Sequence, residues 1–293
     1  MMNTHPPDIK SKAQKEVLLI TIYLLFLAGL SLYLMLTQSV EIDEDFALHD
    51  LFSSIISSLV VFIPILFVWW KSSSIPSLNP MILKSVNPMA AASIAALALV
   101  IPIALLPLEV LVNYLFAFLP EHFNNAVQKL NEQSNAVFIV QRMEHSVLGI
   151  ISLYIALAAM PAIIEEVVFR GILQHRMHVS GLNPFWAIGL SSLVFCILHL
   201  QFYNMLPMMA LSSILGWLYY HGKSLHYSVL FHALNNGLSI TVLITFGNDL
   251  NTEEANPWFW VISMGAIFTA VMLIRFLHKS LRTQDSAHPN NEG

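Results

Sequence analysis

Long apolar runs, separated by short polar segments, organise this chain. A helix that crosses a bilayer needs about 20 mostly apolar residues. Runs of that kind lie at 17–38, 51–70, 89–112, 147–170, 184–200, 205–221, 228–246 and 258–277. The pattern predicts an all-α fold, a polytopic membrane bundle of about eight transmembrane helices. The runs at 184–200 and 205–221 are short and closely linked, so they are tilted or one of them is re-entrant. The first apolar stretch, Val17 to Val40, is too long for a signal-peptide core and no small-x-small cleavage site follows it. It is expected to stay as an anchor helix.

The polar segments divide the rest. Residues 113–146 mix Phe116, Phe118, Phe123, Val127 and Leu130 with Glu121, Gln128, Lys129 and Glu132. That mixture suits an amphipathic helix lying at the outer interface. The tails, 1–14 and 281–293, are polar and expected to be disordered and cytoplasmic. Between them the chain divides into amino-terminal membrane helices with the outer loop (15–146), a second membrane segment (147–246) and a final membrane helix (247–280).

Composition agrees with this division. Of 293 residues, 56% are hydrophobic and 11% charged, against about 25% charged in a soluble domain. The charges sharpen the topology. Lys10, Lys12, Lys15, Lys71, Lys84, Arg170, Arg176, Lys223, Arg275, Lys279 and Arg282 all fall on one side if there are eight spans. The first loop, with Glu41, Asp43, Glu44, Asp45 and Asp50, holds no Lys or Arg. Only Lys129 and Arg142 fall on the other side. The positive-inside rule then puts both termini in the cytoplasm. There is no basic patch of the kind that binds nucleic acid. The lone cysteine, Cys196, allows neither an internal disulfide nor a cysteine metal site and suits apolar filler in a helix.

The chemistry lies in the polar residues that interrupt the later runs. Glu165 and Glu166 are adjacent in an apolar stretch, and each costs a few kcal/mol in hydrocarbon. Neighbours on a helix are about 100° apart, so the two carboxylates cannot share one role. Glu166 and Arg170 are at i,i+4 in the favourable order for an ion pair. Glu165 is the freer carboxylate, and one held in low dielectric can act as a general base near neutral pH. The alternative is that both glutamates are solvated at a helix end. His199 is the one strongly polar group in its run. The turn Ser180-Gly181-Leu182-Asn183-Pro184 has a helix-stopping Gly and a helix-starting Pro. Glu165 and His199 are nearly equidistant from that turn, so an antiparallel hairpin puts them at one height. His232 and Asn236, at i,i+4, share a face and could point donors at a substrate carbonyl, or could serve as hydrogen-bonding glue between helices. Asn235 is turned away from that face. Glu109 is expected at the outer interface. His175, His178, His221 and His226 are expected to be solvated in cytoplasmic turns.

Glu-Glu-x-x-x-Arg (165–170), Phe-x-x-x-His (195–199) and His-x-x-x-Asn (232–236), in this order on successive helices, resemble the CPBP or Abi family of intramembrane proteases. That family includes CAAX prenyl protease 2 and relatives of lysostaphin resistance protein A. The resemblance covers about residues 147–246, which would be the catalytic core. It implies an endopeptidase with an eight-helix bundle and a site opening toward the cytosolic leaflet. By motif, Glu165 would activate water with help from His199. His232 and Asn236 would stabilise the oxyanion. Glu166, Arg170 and Phe195 would support the site. Family members have been described both as metalloproteases and as glutamate proteases without metal. Glu165, His199 and His232 could hold zinc, but the His-Glu-x-x-His arrangement is absent, which leans toward metal-independent activation of water. The implied partners are the lipid bilayer and a membrane-associated or lipidated protein substrate. The compact chain is bacterial in style, so the plasma (inner) membrane is the expected location and prenyl-protein specificity is not carried over. Two other functions compete: a non-catalytic immunity or scaffold protein of the same fold, and a small-solute transporter. No inverted repeat of broken helices supports the transporter.

Overall fold

The computed structural model describes residues 6–37, 62–68, 70–71, 87–134, 147–246 and 257–287. Among these there is no strand. The helices are α1 (Pro7–Thr37), α2 (Pro88–Phe116), α3 (Glu121–Ser134), α4 (Val147–Val179), α5 (Pro184–His199), α6 (Met205–Gly222), α7 (Leu225–Phe246) and α8 (Pro257–Ala287). A short helical piece also covers 62–68.

Five segments are long and apolar enough to cross a bilayer: Pro7–Leu34, Pro88–Phe116, Val147–Val179, Leu225–Phe246 and Pro257–Arg282. The chain is therefore a multi-pass membrane protein built as a helical bundle. Leu18, Leu19, Ile22 and Phe26 of α1 and Phe268 of α8 point outward, as side chains facing lipid do. Of the eight runs expected from the sequence, 51–70 lies mostly outside the described residues, as do the acidic first loop, Lys84 and Arg142. The runs at 184–200 and 205–221 form the helical hairpin α5–α6. With 16 residues, α5 is about 24 Å long, short of the roughly 30 Å hydrocarbon core. The turn at 200–204 therefore ends inside the bundle. Irregular backbone at that depth is tolerated only where protein buries it or where it lines a wet cavity.

Two expectations about the tails are corrected. α1 starts at Pro7, and Ala13 is fully buried against Val179. α8 runs on to Ala287, with Leu281 buried. Apolar side chains placed at helical spacing inside these polar stretches carry both helices beyond the apolar runs. The amphipathic segment appears as α3, with Val127 buried.

Local sequence sets the turn between α4 and α5. Gly181 takes φ +109°, where a side chain would be strained. Asn183 caps α5 by accepting a hydrogen bond from the Trp186 backbone N–H at 3.0 Å, and Pro184 fills the first helical position. α4 itself is not uniform. It is π-helical over Tyr154–Ala159 and again over Val167–Gln174. This matters for register. On an α-helix, residues four apart drift by about 40° per step. The wider winding offsets that drift, so Glu166, Arg170 and Gln174 face one groove. There Arg170 Nη2 donates to Ser212 O and Gln174 Nε2 donates to Gly216 O, both at 3.0 Å. A Cβ on Gly216 would come within 2.6 Å of Gln174 Oε1, so a side chain there would displace the Gln174 amide from this groove.

Candidate active site

The hairpin brings α4, α5, α6 and α7 to one point. Glu166 and Arg170 are both fully buried and pair at 2.7 Å between Oε1 and Nη1. Arg170 also donates to Ser212 Oγ at 2.7 Å and lies 5.1 Å from the centre of the Phe195 ring. One guanidinium thus ties α4 to both α5 and α6. A buried charge without such partners would cost several kcal/mol. The Phe195 ring stacks on His199 at 4.2 Å between centroids and meets Phe169 edge-on at 5.0 Å. It fixes the plane of the His199 imidazole.

The histidine tautomers follow from their partners. His199 Nδ1 lies 2.8 Å from the Phe195 carbonyl oxygen. A carbonyl only accepts, so Nδ1 carries the hydrogen. His232 Nδ1 lies 2.8 Å from Glu166 Oε1. That oxygen belongs to a carboxylate already paired with Arg170, so again Nδ1 donates. Both rings therefore present Nε2 to the other side, where Glu165 stands. Glu165 Oε2 is 3.9 Å from His199 Nε2 and 3.8 Å from His232 Nε2. These gaps are too wide for direct hydrogen bonds and suit a single bridging water. Glu165 keeps 19% of its side chain exposed, whereas Glu166 has none. Neither glutamate is solvated at a helix end. The two neighbours divide the work as their angular separation predicts, one locked and one facing open space.

That space is a cavity of about 580 Å³ lined by Glu165, Phe195, His199, His232 and Asn236. The sequence-predicted residues other than the buried pair Glu166 and Arg170 all reach its wall. Several features were missed in the sequence. Gln201 and Asn204, from the turn after α5, line the cavity, which accounts for irregular backbone at this depth. Leu200 takes a left-handed φ of 52° to make that turn. Asn235, expected to face away, lines the cavity beside Asn236, and its Oδ1 is buried with no hydrogen-bond partner among the described residues. Glu109 and Pro102 of α2 complete the wall. Ser212 could not have been singled out, because one serine in an apolar helix has many ordinary uses. The polar run Gln201…Asn204 between two apolar runs was the signal available for the turn.

The donor chemistry suits zinc in part. Both imidazoles hold their Nδ1 hydrogens in the manner of metal-binding histidines, and a carboxylate stands by. Yet among the described residues no three His, Cys, Asp or Glu side chains gather closely enough to close on a metal ion.

Three of the four histidines expected to be solvated are instead half-buried: His175, His178 and His221. His175 Nδ1 is 3.4 Å from the Tyr219 hydroxyl, and His221 stacks on Trp217. Only His226 is exposed. Cys196 is buried and free, as apolar filler should be.

No curated protein and no solved structure matches the chain. Residues 147–238, the stretch holding all three motifs and the cavity's main walls, match the family model for Rce1-like proteins, the type II CAAX prenyl endopeptidases.

Proposed function

We propose that this protein is an intramembrane endopeptidase that hydrolyses a peptide bond of a membrane-associated or lipidated protein. The observation that carries this reading is the placement of Glu165, with one carboxylate oxygen at 3.9 and 3.8 Å from two imidazole Nε2 atoms in a protected cavity. A water between Glu165 and His199 gives a proton to the Glu165 carboxylate as its oxygen attacks the scissile carbonyl carbon. The new oxyanion accepts hydrogen bonds from Asn236 Nδ2 and from His232 Nε2, which in this scheme carries a second ring proton taken from bulk water before substrate enters. Glu166 is the counter-charge that holds the ring so. The proton on Glu165 then passes to the departing amine as the C–N bond breaks. Glu166 and Arg170 position these groups from outside the cavity, and Phe195 orients His199 from its wall. Water activation by Glu165 needs no metal.

The test is cleavage of a membrane-associated peptide library by the purified protein. Glu165→Gln keeps the shape and removes the base, so turnover should fall by about 10³-fold with the unfolding midpoint unchanged. Activity should survive a chelator. Full cleavage by the Glu165→Gln protein would end the assignment.

A further inference from the structure

A second cavity lies at the other end of the same helices, away from Glu165. Its volume is about 400 Å³, and Lys223, Arg282, His175, His178, His221 and Tyr219 lie along its wall. None of the described lining residues is acidic. The two permanent cations come from different elements, Lys223 from the α6–α7 turn and Arg282 from α8. Lys223 takes a left-handed φ of 48°. Glycine or asparagine usually fills such a helix-ending position, so here a lysine is held in a conformation that favours a smaller residue. An apolar strip of Pro184, Ala187 and Leu281, with Gln174 and Tyr220, completes the wall. A nearby ring cluster adds aromatic surface, with His221 and His278 at 4.9 Å and Trp217 and His221 at 4.8 Å between centroids.

We propose that this cavity binds the phosphate headgroup of an anionic lipid. Lys223 and Arg282 supply donors for phosphate oxygens, and Lys and Arg are the side chains best matched to phosphate. The apolar strip beside them suits the start of an acyl chain. The end of the bundle also fits. It is the end that carries Arg176 and the α4–α5 turn, which the distribution of basic residues assigns to the cytoplasmic leaflet, where anionic headgroups attract basic pockets between helices. The proposal does not depend on the protease reading, because none of these side chains lines the Glu165 cavity.

The experiment uses the full chain in detergent. Bound lipid is counted by native mass spectrometry and the unfolding midpoint is followed during titration with phosphatidylglycerol, phosphatidylcholine or inorganic phosphate. Phosphatidylglycerol should bind and raise the midpoint, and phosphatidylcholine should not. The double variant Lys223→Gln/Arg282→Gln should bind phosphatidylglycerol about thirtyfold more weakly, from two surface cations. Lys279→Gln, on α8 but outside the cavity, should bind like the parent. If the double variant does not fold, Arg282→Gln alone should weaken binding about fivefold. Equal binding by parent and variant, or by the two lipids, would overturn the proposal. So would inorganic phosphate matching the lipid's effect at equal concentration, since the site would then be one for a soluble anion.

Discussion

α4 carries two buried arginines, and each meets a glutamate. Arg170 pairs with Glu166 on its own helix at 2.7 Å, and Arg176 pairs with Glu16 of α1 at 3.2 Å. Both arginines are almost fully enclosed. Their surroundings differ. The Glu166 oxygen that meets Arg170 also accepts from His232, and the guanidinium also binds Ser212 and faces Phe195. The Arg176–Glu16 contact is a charge contact without a directed hydrogen bond, and neither residue lines the Glu165 cavity. A buried ion pair is weak grounds for function by itself. The first pair matters because it fixes the tautomer and orientation of a ring that faces a cavity. The second only fastens α1 to the bundle.

This contrast can be broken most sharply at Arg170. Arg170→Ala leaves Glu166 buried without its cation, which should cost about 3–5 kcal/mol of stability. It should also lower turnover by more than the stability loss explains, because His232 loses its fixed partner. Thermal unfolding and turnover per folded molecule separate the two effects. If turnover per folded molecule stayed at the parent level, the pair would be a fastener like the other one. Glu166→Gln is milder. The amide oxygen can serve His232 or Arg170 but holds no charge for a protonated ring. Turnover should fall roughly tenfold to a hundredfold, as when a carboxylate behind a working histidine is altered. KM should hardly change, since Glu166 faces no substrate.

How much of this was legible beforehand follows from the kind of physics involved. The i,i+4 spacing of Glu166 and Arg170 announced their pair, because a helix fixes that geometry locally. The meeting of Glu165 with His199 was also readable, since the Gly181 and Pro184 turn signals set the height of both residues on a hairpin. The Arg176–Glu16 pair was not. It joins residues far apart in sequence, and nothing in either segment names the other. For the same reason the half-buried state of His175 and His221 was missed, as was the reach of Glu109 into the cavity. The inward turn of Asn235 was missed for a different reason. A 100° step puts it off the His232–Asn236 face, but the cavity wraps widely enough around α7 to include it.

The smallest effect is expected at the second pair, and it tests the comparison from the other side. Arg176→Gln and Glu16→Gln each remove one charge of this buried pair, so each should lower stability. The contact lacks a directed hydrogen bond, so the cost should fall below that at Arg170, at about 1–3 kcal/mol. The double variant should recover part of the loss, because no uncompensated charge remains. Throughout the cycle, turnover per folded molecule should stay within about twofold of the parent, a change of about 0.4 kcal/mol in barrier. A larger fall would mean that the docking of α1 on α4 reaches the Glu165 cavity through the π-helical stretch between them. The two ion pairs would then be parts of one device, and the division drawn between positioning and fastening would fail.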